Sequence, residues 1–162
     1  MSLTEANTIQ EYILKILQND SDNLKWDYIS TENIQRKETD ILLEDTLIQK
    51  LKDLNPSINE HPQRADEVVY QLDKIIHSTQ DGLIKANEEF SKWLKGDKTM
   101  KFGQNNQDIP IKIIDFDEIN NNLFQVTKEF SVKSSSTGET KRADIILFVN
   151  GIPLVDIETK SP

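Results

Sequence analysis

Asp144, Glu158 and Lys160 are the residues whose types and spacing point to chemistry. They lie in "RADIILFVNGIPLVDIETKSP", residues 142–162, where two apolar runs meet at Asn150-Gly151, with an acid at one tip and Glu-x-Lys at the other. Two carboxylates that converge within a few ångströms repel unless a cation or a proton sits between them. Oxygen-only ligands suit Mg²⁺, which keeps several waters and so leaves room for a phosphate oxygen and an attacking water. The backbone carbonyl of Thr159, between the two ligand-bearing positions, is placed to be a third ligand. Lys160 projects to the same side as Glu158, where an ammonium group lowers the pKa of an attacking water or stabilises charge on a phosphoryl group. Metal-dependent phosphodiester hydrolysis needs that constellation.

Register decides whether the acids can meet. Asn-Gly between apolar runs is a strong hairpin signal. A strict two-residue turn pairs Val149 with Ile152 and sets Asp144 opposite Ile157, so that Asp144 and Glu158 point to opposite faces. A three-residue loop with Gly151 in the left-handed region instead sets Phe148 opposite Ile152 and Asp144 opposite Asp156, and puts Asp144, Glu158 and Lys160 on one face. Pro153 cannot donate to the ladder, which favours the irregular turn. The bulged turn is therefore the expectation. Against it stands an ordinary reading: Glu-x-Lys also occurs at Glu139-Thr140-Lys141, in a Ser-rich loop with no apolar run before it, and charges at strand ends are commonly just solvated.

The elements that must carry this hairpin follow from periodicity. "TEANTIQEYILKIL" places Ile9, Tyr12, Ile13, Ile16 and Leu17 at helical spacing, with Thr4 as cap. "LKWDYI" reads as a short strand and "ENIQRKETD" as a connector. A second helix is expected from Asp40 to Leu54, stopped by Asn55-Pro56. A third fits "RADEVVYQLDKIIH". A fourth fits "DGLIKANEEFSKWL", with Leu83, Ile84, Phe90, Trp93 and Leu94 as its buried stripe and Gly96 as C-terminal cap. From Met100 the pattern changes to short runs rich in Ile, Val and Phe, "IPIKIIDF", "LFQVTKEFSV", "ADIILFV" and "IPLVDIE", with "SSSTGETK" a polar hairpin loop. The organisation expected is one domain over 1–162, with residues 4–99 mainly helical and residues 100–162 forming a sheet. Met1-Ser2-Leu3 has the composition of an expression scar and carries no functional weight.

Composition narrows the partners. The formal net charge of −9 argues against broad electrostatic capture of nucleic acid, though not against a local basic strip. Lys141 and Arg142, beside the candidate site, could touch phosphate; a solvated loop pair is the plainer reading. With no Cys there is no disulfide frame and no thiolate chemistry. His61 and His77 are the two imidazoles, and neither has an identifiable triad partner. No apolar run reaches bilayer-spanning length and no basic-then-apolar signal opens the chain, so a cytoplasmic protein without membrane attachment is the expectation.

The Asp–hairpin–Glu-x-Lys arrangement resembles the PD-(D/E)xK nuclease core. The whole of "RADIILFVNGIPLVDIETKSP" closely resembles the nuclease segment of the restriction (R) subunit of Type I restriction-modification enzymes. The likeness continues upstream through "ILLEDTLIQKLKDLNP", "ANEEFSKWLKGD" and "IIDFDEINNNLFQVTKEFSV", and so covers nearly the whole chain. It departs at Ala143, where the family usually has Pro, and at Thr159, where it usually has Leu.

The resemblance implies an α+β (α/β) fold with a restriction-endonuclease-like core, truncated after the Glu-x-Lys strand. It implies Asp144 and Glu158 as metal-binding carboxylates and Lys160 as the catalytic lysine. Glu11 on the first helix is a further acidic candidate, a better match than Glu5, and each also reads as a solvated helix charge. It implies Mg²⁺-dependent cleavage of duplex DNA in a complex with methyltransferase and specificity subunits. ATP would act only through domains absent from this chain, which holds no Gly-x-x-x-x-Gly-Lys-[Ser/Thr] loop. Little or no activity is expected of this piece alone, and its last strand offers an open edge for a homodimer. Two other readings stand: a stand-alone or repair-type nuclease of the same superfamily, and a non-catalytic interaction domain on the same scaffold.

Overall fold

The structure, a computed structural model, describes residues 5–19, 25–78 and 82–159. Thr4 and Lys160 lie outside the described residues, so neither the expected cap nor the expected catalytic lysine is placed. In chain order the elements are α1 (Glu5–Leu17), β1 (Asp27–Tyr28), α2 (Glu44–Leu54), α3 (Pro56–Asn59), α4 (Arg64–His77), α5 (Leu83–Leu94), β2 (Thr99–Met100), β3 (Ile109–Pro110), β4 (Phe124–Lys133), β5 (Thr140–Val149) and β6 (Ile152–Ile157). This is an α+β fold with a mixed sheet. None of the described helices is long and apolar enough to cross a membrane.

The chain divides into two compact units. One joins the residues up to Leu43 with those from Leu123 onward; the other is Glu44–Asn122.

The first unit holds a four-stranded sheet in the order β1-β4-β5-β6. β1 runs parallel to β4, and the β4–β5 and β5–β6 pairs are antiparallel. Leu14 of α1 packs with Val126, Ile145 and Leu147, flanked by Ile13, Leu17, Trp26 and Ile157. A second cluster joins Leu43, Phe130, Ile146 and Phe148, flanked by Ile29, Ile34, Val132 and Ala143. Two expectations are corrected here. Helix α1 does not bury the stripe read from spacing: it buries Gln10 and Leu14, and leaves Ile9, Tyr12 and Ile16 exposed. A helix laid on a small sheet covers a narrow stripe, and Leu14 rather than Tyr12 centres it. The second helix starts at Glu44, not Asp40. Leu43 is spent on the sheet instead, where its amide donates to the Gly151 carbonyl at 2.8 Å.

In the second unit Leu47, Leu51, Ile58, Val68, Leu72, Ile111 and Ile113 are almost wholly buried. Asn55-Pro56 ends α2 as expected, and Pro56 opens α3 at a position where its missing N–H costs nothing. The Asn55 amide then spans the break, donating to the carbonyls of Leu51 (2.9 Å) and Lys112 (2.8 Å) and accepting from the Lys112 amide (2.8 Å). α4 occupies the residues read from sequence. α5 ends as expected: Gly96 at φ 75° lets the Asp97 amide reach Lys92 O (2.9 Å) while its own reaches Trp93 O (3.1 Å), a Schellman closure. Its start departs from expectation, because Leu83 and Ile84 are exposed at 71% and 77% and Trp93 carries the burial. "IPIKIIDF" is mostly not a strand either; only Ile109–Pro110 pairs, with β2. The rest is held by Asp115, a buried carboxylate in a polar loop. It accepts from Asn121 Nδ2 (3.0 Å), the Glu118 amide (3.1 Å), Lys112 Nζ (3.1 Å) and the Asp117 amide (3.2 Å). Those donors, Asn121 foremost, hold its pKa well below the usual carboxylate range.

Candidate active site

The hairpin that carries the candidate residues closes differently from the expectation. Val149 pairs with Ile152 and Phe148 with Pro153, so the loop is the two residues Asn150-Gly151. Both have positive φ, 52° and 82°, the geometry of a type I′ turn. The three-residue loop is therefore corrected. Asn150 explains why the tight turn wins. It is fully buried, its amide donates to Leu123 O (2.9 Å) and its Oδ1 accepts from the Leu123 amide (2.8 Å). A looser loop would forgo that anchor.

The irregularity appears further along the strand. Leu147 pairs with Val155 while Phe148 pairs with Pro153, which leaves Leu154 unpaired as a bulge in β6. The slip falls beside Pro153, a residue that sheets confine to edge strands and bulges. Beyond the bulge Ile145 pairs with Ile157, and one position further out Asp144 comes level with Glu158. A tight turn without the bulge would have set Asp144 level with Ile157; the expected loop would have set it level with Asp156.

Asp144 is half-buried, and its Oδ2 accepts two hydrogen bonds from Thr159, one from the amide and one from Oγ1, each 2.7 Å. Gln10 Nε2 of α1 donates to the same Thr159 Oγ1 at 3.4 Å. The Thr159 hydroxyl first, then its amide, hold the Asp144 pKa below the usual value; partial burial opposes them and the charge of Arg142 assists. Thr159 thus contacts Asp144 through its side chain and amide, a role that spacing did not suggest. Glu158 is exposed at the strand end.

The other candidates are placed nearby but engaged elsewhere. Glu11 is ion-paired with Lys128, which lies opposite Ile145 and so one rung from Asp144. That pairing raises the Lys128 pKa. Arg142 Nη1 lies 3.8 Å from Glu129 Oε1, and Lys141 is exposed. His77 Nδ1 lies 2.9 Å from Asp73 O, within one turn of its own helix.

One backbone feature was invisible in sequence. Glu129 has φ 56° in the middle of β4. The ladder runs from Lys128 opposite Ile145 to Phe130 opposite Ala143, so Glu129 stands level with Asp144. Val126 and Phe130 are four residues apart and would share a face of a regular strand, yet they fall in different clusters. Glu129 makes that switch. A non-glycine residue held there costs about 1–3 kcal/mol and tends to persist at functional sites.

The donor set suits a hard cation. Asp144 is kept anionic, Glu158 is solvent-accessible, and every candidate ligand is an oxygen. Among the described residues no group of three or more His, Cys, Asp or Glu side chains forms a metal cluster.

Residues 2–162 match the family model described as Type I restriction enzyme R protein N terminus. The chain is 28% identical over 170 aligned residues to the type I restriction enzyme HindI endonuclease subunit of Haemophilus influenzae, an alignment covering 99% of this chain and 15% of that protein. It is 30% identical over 133 residues to a Methanocaldococcus jannaschii protein provisionally named the type I restriction enzyme MjaIXP endonuclease subunit, covering 76% of this chain and 12% of that protein. The chain thus spans less than a sixth of the length of either relative.

Proposed function

Because the chain belongs to the Type I restriction enzyme R protein N-terminal family, we propose that it supplies the nuclease site of such a subunit, hydrolysing duplex DNA phosphodiesters with Mg²⁺. In this reading Asp144 and Glu158 hold the cation together with the Thr159 carbonyl, and Lys160 is the catalytic lysine of a PD-(D/E)xK site. The observation that carries it is the ladder offset at Leu154, which sets Asp144 level with Glu158 in a chain whose spacing had already singled out both.

Mg²⁺, when bound, would lower the pKa of an attacking water and neutralise phosphoryl charge. The chain's own residues do the rest. Thr159 keeps Asp144 ionised and narrows its rotamers. Glu158, exposed, turns beside Asp144 without having to leave a buried partner. The Lys160 ammonium offers charge stabilisation two residues along. Glu11, paired with Lys128, serves as a surface ion pair that fastens α1 to β4 rather than as a ligand.

Duplex affinity comes mainly from other parts of the assembly, since a chain of net charge −9 repels phosphate. Methyltransferase and specificity subunits bring the DNA, and ATP acts through the rest of the subunit. The test uses the intact subunit assembled with those partners. Asp144→Ala and Lys160→Ala, made separately, are expected to abolish Mg²⁺-dependent cleavage while leaving ATP hydrolysis in place. Cleavage at the parental rate by both variants would refute the assignment.

A further inference from the structure

Helix α1 buries a polar side chain, Gln10, on the face that also buries Leu14. Gln10 is 6% exposed while its neighbour Ile9 is 39% exposed, and Tyr12 and Ile16 are more exposed still. Gln10 shares a face with Ile13, Leu14 and Leu17, so an amide stands where an apolar side chain would ordinarily pack. Sinking an amide into a core costs free energy unless it finds a partner. The partner here is Thr159 Oγ1, 149 positions away in sequence.

We propose that Thr159 and Gln10 are positioning residues: a relay from α1 through the Thr159 hydroxyl fixes the Asp144 carboxylate in the orientation that receives a divalent cation. The proposal rests on the nuclease reading and extends it to two residues that do not touch the cation by their side chains. A threonine hydroxyl has one proton. At 2.7 Å from Asp144 Oδ2 that proton is committed to the carboxylate, which leaves the oxygen's lone pairs facing other donors. Gln10 Nε2 occupies one of those directions. Its 3.4 Å separation is long, so it contributes direction more than energy. The Thr159 amide adds a second bond to Oδ2 at 2.7 Å. Two short bonds from one residue to one carboxylate oxygen restrict both side-chain torsions of Asp144. Leu at position 159 would keep the amide bond and lose the hydroxyl. Outer partners of ligating carboxylates commonly set cation affinity in this way.

The test uses the 162-residue chain, with Mn²⁺ titrated as a spectroscopic stand-in for Mg²⁺ and thermal unfolding measured alongside. Thr159→Val removes the hydroxyl and keeps shape and amide; it is expected to weaken Mn²⁺ binding about tenfold. Thr159→Ser should restore most of the loss. Gln10→Leu should weaken binding by a smaller factor while leaving the melting temperature equal or higher, which a merely structural glutamine would not do. Asp144→Ala separates the two levels of the argument. If it abolishes binding while Thr159→Val and Gln10→Leu bind like the parent, the relay is wrong and the nuclease site stands. If Asp144→Ala binds like the parent, or the parent takes up no Mn²⁺, the site itself is misassigned and the relay falls with it.

Discussion

Asn150 shows how one side chain settles a geometry that spacing left open. Both a two-residue and a three-residue reversal satisfy an Asn-Gly between apolar runs, and the hydrophobic pattern on either side tolerates each. The deciding fact is that Asn150 is fully buried and exchanges two hydrogen bonds with Leu123, a residue 27 positions upstream. Asn is also one of the few non-glycine residues that tolerates the left-handed region it occupies here. Asn150→Ala leaves the Leu123 N–H without its acceptor and places an alanine at positive φ. The expected loss is about 2–4 kcal/mol in urea unfolding, from the unmet donor and the left-handed strain together. Asn150→Gly should lose only the first part, about 1–3 kcal/mol. Equal losses for the two variants would show that backbone strain contributes nothing and that the turn type is misassigned. At the same scale the Thr159 hydroxyl was not legible, because its bond to Asp144 depends on a ladder offset that spacing did not show and its bond from Gln10 on a helix at the far end of the chain.

At the scale of elements, the legible parts were those governed by local chemistry. α4 matches its sequence boundaries, Asn55-Pro56 ends α2, and Gly96 closes α5, because capping and proline stops act within a few residues. The misreadings share a cause. Leu42 and Leu43 look like the first turn of α2, but Leu43 is needed by Phe130, Ile146 and Phe148 in the sheet. Leu83 and Ile84 fit an apolar stripe yet stay exposed, since periodicity says which residues share a face and not which face is covered. A bulge is harder still: Pro153 announces an irregularity without saying on which side of it the ladder slips. Deleting Leu154 tests what that slip does. The ladder would then run in one register from the turn outward, and Val155 through Ile157 would keep the β5 partners they have now. Ile157 would stay in the cluster around Leu14 and Thr159 beside Asp144, with only the local twist of the bulge lost. The expected outcome is a chain that keeps the amide protection of β4, β5 and β6 in hydrogen exchange and still binds Mn²⁺. Loss of Mn²⁺ affinity in the deletion would show that the twist of the bulge, and not register alone, builds the site.

At the scale of the molecule, β6 is the edge strand of its sheet among the described residues, paired to β5 on one side. Leu154 and Val155 are exposed at 42% and 45%. Edges of this kind are templates for a second strand unless something blunts them. Three features do so in part: Pro153 withholds an N–H, the Leu154 bulge twists the strand, and Asp156 carries charge. They leave Val155 to Ile157 as a short free edge, and we expect two copies to pair there antiparallel and weakly. Charge makes the prediction distinctive. Each copy carries a net −9, so association works against repulsion that salt screens. Sedimentation velocity of the isolated chain should therefore show a concentration-dependent dimer that strengthens as ionic strength rises, the opposite of an interface held by salt bridges. Val155→Lys places a cation on the free edge of each partner and exposes no core residue; it should return the chain to monomer without lowering its melting temperature. A dimer that persists in Val155→Lys, or one that salt dissolves, would locate self-association on another surface and leave β6 as an edge that its own proline and bulge protect.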